Sequence, residues 1–146
     1  MSRAFVKDDD DGQEQVLERP VSTSPNYVTP RGLELLKKAL SKAEAAGDDR
    51  QARYYDERIE SAIVVQPNPD PNGGVEFGST VTAHDVQGKS LRIRIVGEDE
   101  ADPLHGSVSW ESPIARAFSD HHVGDRVVVQ RPAGRMEYVI DSIEHE

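Results

Sequence analysis

The chain has 146 residues, of which 36% are hydrophobic, 30% charged and 5% aromatic, so there is room for one modest core plus appendages and not for a large enzyme. Seventeen basic against twenty-seven acidic side chains give a net charge of -10, so attraction to a phosphate backbone is not the default source of affinity, and any nucleic acid is reached through a partner. The absence of cysteine excludes disulfides, thiolate nucleophiles and Cys-based zinc sites. No apolar run approaches the ~20 residues that span a bilayer, and the residues after Met1 lack a secretory stretch, so the chain reads as cytoplasmic.

The acidity is uneven. Residues 1–27 hold three basic and six acidic side chains, residues 28–65 seven of each, and residues 66–146 seven against fourteen. The first segment carries Asp8-Asp9-Asp10-Asp11 and little apolar content before Pro20 and Pro25, so 1–27 reads as a flexible acidic tail. A helix is predicted to start at Thr29-Pro30, with Thr as cap and Pro at the first helical position. Leu33, Leu36, Leu40 and Ala43 then form one apolar stripe, and Gly47 ends the helix. Asp48 or Asp49 caps a second helix in which Ala52, Tyr55, Ile59 and Ala62 repeat the spacing. The two stripes face each other in a helical hairpin over 28–65, a short coiled coil. From Pro30 to Ala46 it reaches only roughly 25 Å.

Gln66 to Gly74, with three prolines and two glycines, is predicted as a linker. Beyond it the pattern alternates. Val81 lies near the start of the first strand, Leu91, Ile93 and Ile95 alternate with Arg92 and Arg94, and Val108 with Trp110, Val127 with Val129, and Tyr138 to Ile143 supply further strands. Gln87-Gly88 and Pro132-Ala133-Gly134 mark turns, and Ser112-Pro113 opens a short helix. The class is α+β, with a domain at 75–146 made of a small, mostly antiparallel sheet and one helix.

Chemistry-bearing residues are sparse. His84, His105, His121, His122 and His145 lack helical i, i+4 pairing, so no metal site is assigned to them. Ser119-Asp120-His121 holds the residue types of a hydrolase triad, but sequence neighbours seldom converge in that geometry and no Gly-x-Ser-x-Gly elbow exists. Glu98-Asp99-Glu100-Ala101-Asp102 lacks the spacing of a calcium loop and reads as solvated. At the hairpin tip, Asp48 and Asp49 are explained by the helix dipole, yet a tip is where a narrow protein can push carboxylates into another macromolecule. No cofactor is implied.

Five blocks in order carry a resemblance: Phe77-Gly78-Ser79-Thr80-Val81, Ile95 to Asp102, Ser112-Pro113-Ile114-Ala115-Arg116-Ala117, Val123-Gly124-Asp125 and Pro132-Ala133-Gly134. With Val28-Thr29-Pro30-Arg31-Gly32-Leu33 and Ile59 to Val65, the stretch 28–144 resembles the GreA/GreB transcription elongation factors. The resemblance implies an FKBP-like C-terminal domain that binds RNA polymerase and a hairpin inserted through the secondary channel. Tip carboxylates there help hold a second Mg²⁺ at the polymerase active centre, so that the polymerase cleaves its own backtracked RNA.

At the tip the resemblance is incomplete. The family pattern is Gly-Asp-x-x-Glu-Asn-Ala-Glu-Tyr, whereas Gly47-Asp48-Asp49-Arg50-Gln51-Ala52-Arg53-Tyr54 is one residue shorter, has Gln51 in place of Glu, and precedes a shorter second helix. The expectation is a short-hairpin member, similar in layout to the regulator of nucleoside diphosphate kinase. It would be a monomer that regulates elongation, with cleavage stimulation weak or absent. The family's Ser-Pro element places Glu111, Ser112 and Pro113 at the polymerase interface. Rival expectations are a cleavage-stimulating factor using Asp48 and Asp49, a peptidyl-prolyl isomerase, and a cytosolic adaptor unrelated to transcription. The isomerase is disfavoured because only three Phe and one Trp are available to line a proline pocket.

Overall fold

The computed structural model describes residues 21–145. Most of the acidic tail expected over 1–27 lies outside them, and Tyr27 at its end is a strand residue. The described elements are β1 (Tyr27–Val28), α1 (Pro30–Ala45), α2 (Asp49–Ser61), β2 (Ile63–Val64), β3 (Ser79–Asp85), β4 (Ser90–Val96), β5 (Ser107–Ser109), α3 (Pro113–Phe118), β6 (Arg126–Arg131) and β7 (Gly134–His145). Two 3₁₀ turns, Glu98–Glu100 and Pro103–His105, join β4 to β5. Mixed α+β is the class. Among the described residues no helix is long and apolar enough to cross a membrane.

The chain divides into two compact units. Of the described residues, one holds Leu36–Ser61 with residues 21–25, and the other holds Asn26–Leu35 with residues 62–145. The first two turns of α1 group with the sheet because both chain segments flanking the helices are tied down there. β1 and β2 pair in parallel, with Tyr27 opposite Ile63 and Val28 opposite Val64. The chain therefore leaves and returns at one place.

In the helical unit, Leu36 and Ala43 of the predicted stripe are buried and Leu40 is half-buried. α2 departs from expectation. Its most buried side chain is Arg58, 1% exposed, while Tyr55 and Ile59 are only half-buried and Ala62 falls beyond the helix end. Apolar periodicity does not register a charged side chain that is buried whole.

In the other unit the strand order is β5-β4-β3-β7-β6, antiparallel except for β4 with β5. Val81 stands opposite both Ile93 and Ile143, and Ala83 opposite Leu91 and Ile140, with a bulge between Thr82 and Ala83 that steps past Asp141. One face buries Val81, Ile93, Ile95, Val127, Val129 and Ile140 under Ala115 and Phe118 of α3. Full burial of Phe118, whose ring lies 5.9 Å from that of Tyr138, contributes about 2–3 kcal/mol. Within the Pro/Gly segment, Asn68 and Asp70 side chains accept from the backbone N–H groups of Asp70 and Asn72, each at 2.9 Å, so the turn residues form successive Asx turns.

Candidate functional site

The tip is built with minimal chain. Gly47, at φ +69°, lets Asp48 N–H donate to Ala43 O at 2.9 Å and Gly47 N–H to Glu44 O at 3.1 Å, a Schellman closure of α1. The same Asp48 then caps α2. Its Oδ1 accepts from Gln51 N–H at 3.1 Å, and its carbonyl accepts from Ala52 N–H at 2.9 Å. Asp48 and Asp49 are both exposed. Of the two caps weighed from sequence, Asp48 takes the role, so one of its oxygens is already engaged.

Glu111, Ser112 and Pro113 sit on a tight turn between β5 and α3. Ser112 Oγ donates to Ser109 O at 2.7 Å and accepts from Ala115 N–H at 3.3 Å, making it the cap of α3, while Glu111 N–H donates to Ser109 Oγ at 3.2 Å. Pro113 occupies the first helical position and is exposed, with Glu111 and Ser112 half-buried beside it. The three residues are brought together as one presented corner.

Next to that corner lies a feature that sequence spacing did not reveal. Tyr27, Phe77 and Trp110 converge from three segments, with Tyr27 5.0 Å from Trp110 edge-on and 6.0 Å from Phe77 between ring centroids. They line a cleft of about 240 Å³ with Val65, Glu76 and Ile95. That is below the ~300–1,000 Å³ of ligand pockets, and weighs against a site built to enclose a proline ring and its flanking peptide. Trp110 Nε1 is buried with no hydrogen-bond partner among the described residues.

In the acidic run 98–102, expected as a solvated loop, Asp99 and Asp102 are exposed and Glu100 is not. The Glu100 side chain is only 6% exposed. Its Oε2 accepts from Arg94 Nη1 at 2.6 Å, with Arg94 17% exposed, and its Oε1 accepts from Thr29 Oγ1 at 2.6 Å. Thr29 Oγ1 in turn accepts from Gly32 N–H at 2.8 Å, which caps α1. A Cβ at Gly32 would stand 2.7 Å from Glu100 Oε1, and one at Gly97 would collide with the Tyr27 carbonyl. Glycine at both positions serves close approach, since Gly97 has an ordinary φ of -75°. The alternating strand put Arg94 on the polar face correctly, but Glu100, 6 residues on, joins it to Thr29, which lies 71 residues from Glu100 along the chain.

Four of the five histidines set a ring nitrogen within hydrogen-bond distance of a side chain. His84 Nδ1 lies 2.8 Å from Asp141, His105 Nδ1 2.7 Å from Asp102, and His121 Nδ1 3.2 Å from Asp125. His145 Nδ1 lies 3.2 Å from Ser79 Oγ. Asp125 also accepts from His122 N–H at 2.8 Å. That backbone donor first, and the His121 ring second, hold the Asp125 carboxyl below the usual aspartate range. Among the described residues no group of three or more metal-ligating side chains converges.

The structure thus presents exposed carboxylates where α1 gives way to α2, and a Ser-Pro cap at the start of α3, in a mixed α+β chain. The profile described as "Transcription elongation factor, GreA/GreB, C-term" matches residues 70–145, and the chain belongs to the GreA/GreB family. It is 37% identical over 97 residues to transcription elongation factor GreB of Pseudomonas putida, covering 66% of this chain and 60% of that one. GreB of Yersinia pestis is 32% identical over 137 residues, covering 82% of this chain and 80% of the relative, and GreA of Legionella pneumophila 40% identical over 107, covering 72% and 67%. The chain thus spans 60% of the length of GreB relatives such as that of P. putida.

Proposed function

We propose that this chain is a GreA/GreB-type elongation factor that binds RNA polymerase, docking through Glu111, Ser112 and Pro113 of an FKBP-like C-terminal domain. On this reading α1 and α2 are an antiparallel hairpin, within the unit 28–65, that enters the secondary channel with Asp48 and Asp49 at its tip. The protein acts as a cytoplasmic monomer without a cofactor, meets nucleic acid only through the polymerase, and stimulates transcript cleavage weakly or not at all.

The observation that carries the reading is the length of α2. Its 13 residues rise about 20 Å at ~1.5 Å per residue. A hairpin short by even two turns loses about 11 Å of reach, against a ~0.2 Å tolerance for metal ligation. Gln51 in place of the family's glutamate removes a carboxylate, and the capping bond to Asp48 Oδ1 engages another oxygen. Chemistry that needs a tip carboxylate on a polymerase-bound Mg²⁺ is therefore short of both reach and ligands.

The test is a backtracked polymerase complex with labelled RNA. Shortening should stay near the factor-free rate, and Asp48→Ala should change it by less than about twofold, because no transition-state contact is lost. Robust shortening that disappears in Asp48→Ala overturns the non-cleaving reading.

A further inference from the structure

We propose that Lys89 and Arg131 hold the phosphate group of a small organic phosphate in a cleft between the β3–β4 and β6–β7 turns, with Leu91 and Met136 against its apolar part. Every residue lining the cleft falls within 85–138, and the proposal stands whether or not the chain binds polymerase.

The cleft is built on the core-facing side of the sheet. Asp85 stands opposite Tyr138, Leu91 opposite Ala83 and Met136 opposite Val129, so these side chains share a face with the buried Ala83 and Val129. That face opens into a volume of about 350 Å³, within the ~300–1,000 Å³ of small-ligand sites. Leu91 and Met136, half-buried and packed on the core, supply its apolar floor.

Two turns bring the cations. In the first, Asp85 Oδ1 accepts from Gln87 N–H and Lys89 N–H, each at 2.9 Å, and Asp85 N–H donates to Lys89 O at 2.9 Å. These bonds fix the backbone that carries Lys89 and engage the Asp85 carboxylate, which is buried, within its own turn. In the second, Arg131 pairs with Gly134 and sets its guanidinium carbon 6.0 Å from the Tyr138 ring centroid.

The pairing of charges singles these two out. Within 62–145, Arg92, Arg94, Arg126 and Arg135 each form an ion pair with a glutamate. Among the described residues Lys89, Arg116 and Arg131 meet no carboxylate, although the chain has a net charge of -10, and Lys89 and Arg131 line the same cleft. A carboxylate ligand would offer one charge to two cations. A phosphomonoester carries roughly -1.5 to -2 at neutral pH and three strong acceptor oxygens, so it can satisfy the Arg131 fork and the Lys89 ammonium together.

The test titrates the isotope-labelled full chain with phenyl phosphate, benzoate, phenol and inorganic phosphate while the amide resonances are followed. Phenyl phosphate should shift the amides of Gln87, Lys89, Leu91 and Met136 saturably, about tenfold or more tighter than benzoate or inorganic phosphate, and phenol should leave them in place. Lys89→Gln and Arg131→Gln should each weaken phenyl phosphate about tenfold, whereas Arg126→Gln, which removes a cation already paired with Glu137, should change it less than about twofold. Lys89 and Arg131 are exposed, so unchanged resonances elsewhere in each variant report an intact fold.

The absence of a saturable shift at these amides overturns the proposal. Benzoate binding as tightly as phenyl phosphate overturns the phosphate assignment, and inorganic phosphate binding as tightly overturns the role of the apolar floor. An equal loss in Arg126→Gln reduces the effect to diffuse charge and overturns the site.

Discussion

Asp125 shows how a single loop residue carries pH dependence. Its carboxylate accepts from His122 N–H at 2.8 Å and faces His121 Nδ1 at 3.2 Å, which lowers its pKa in the folded chain. A depressed carboxyl contributes stability that is present above the unfolded pKa, about 3.9, and is lost as pH falls through the lower folded value. Melting temperatures of wild type and Asp125→Asn should differ by a constant amount above about pH 5, and the gap should close below about pH 4. A gap that widens on acidification contradicts this assignment. Sequence alone marked Val123-Gly124-Asp125 only as one of the blocks that carry the family resemblance. It could not assign the carboxylate a partner, because the donors depend on how the loop after α3 curls.

At the scale of elements, α3 was legible and α2 only in part. Ser112-Pro113 announces a capped start through two local effects, an oxygen to accept from Ala115 N–H and a ring pre-set for the first helical position. Ser112→Ala should cost about 1 kcal/mol, a fall of about 3–5 °C in melting temperature, whereas Pro113→Ala should barely move it. Both should weaken polymerase capture on the docking proposed here, and Pro113→Ala by far more than its stability change accounts for. Equal capture by Pro113→Ala removes the corner from the interface. α2 misled because its buried residue is Arg58, a charged side chain that no hydropathy pattern counts as core.

For the molecule as a whole, the proposed role makes occupancy the output. A chain that docks like its longer relatives without supplying their chemistry should compete with them. With limiting polymerase and a cleavage-competent GreB, adding this protein should lower RNA shortening in a saturable way, at concentrations set by its own capture affinity. Shortening that is unaffected when this protein is in large excess contradicts a shared docking site.

Local physics determined much of this protein. Caps at Thr29 and Ser112, the αL glycine at 47, the turns at Gly88 and Gly134 and the alternation of β4 are decided within a few residues, and so is the α+β class. What only the tertiary structure decided are associations across long stretches of chain: the return of Ile63 to Tyr27, the meeting of three aromatic rings, and the burial of Glu100 between Thr29 and Arg94. An acidic run reads as solvated because its charge is visible and its partners are not. Once the chain folds, the cost of removing that carboxylate from water is offset by a guanidinium and a hydroxyl that no window of sequence contains together.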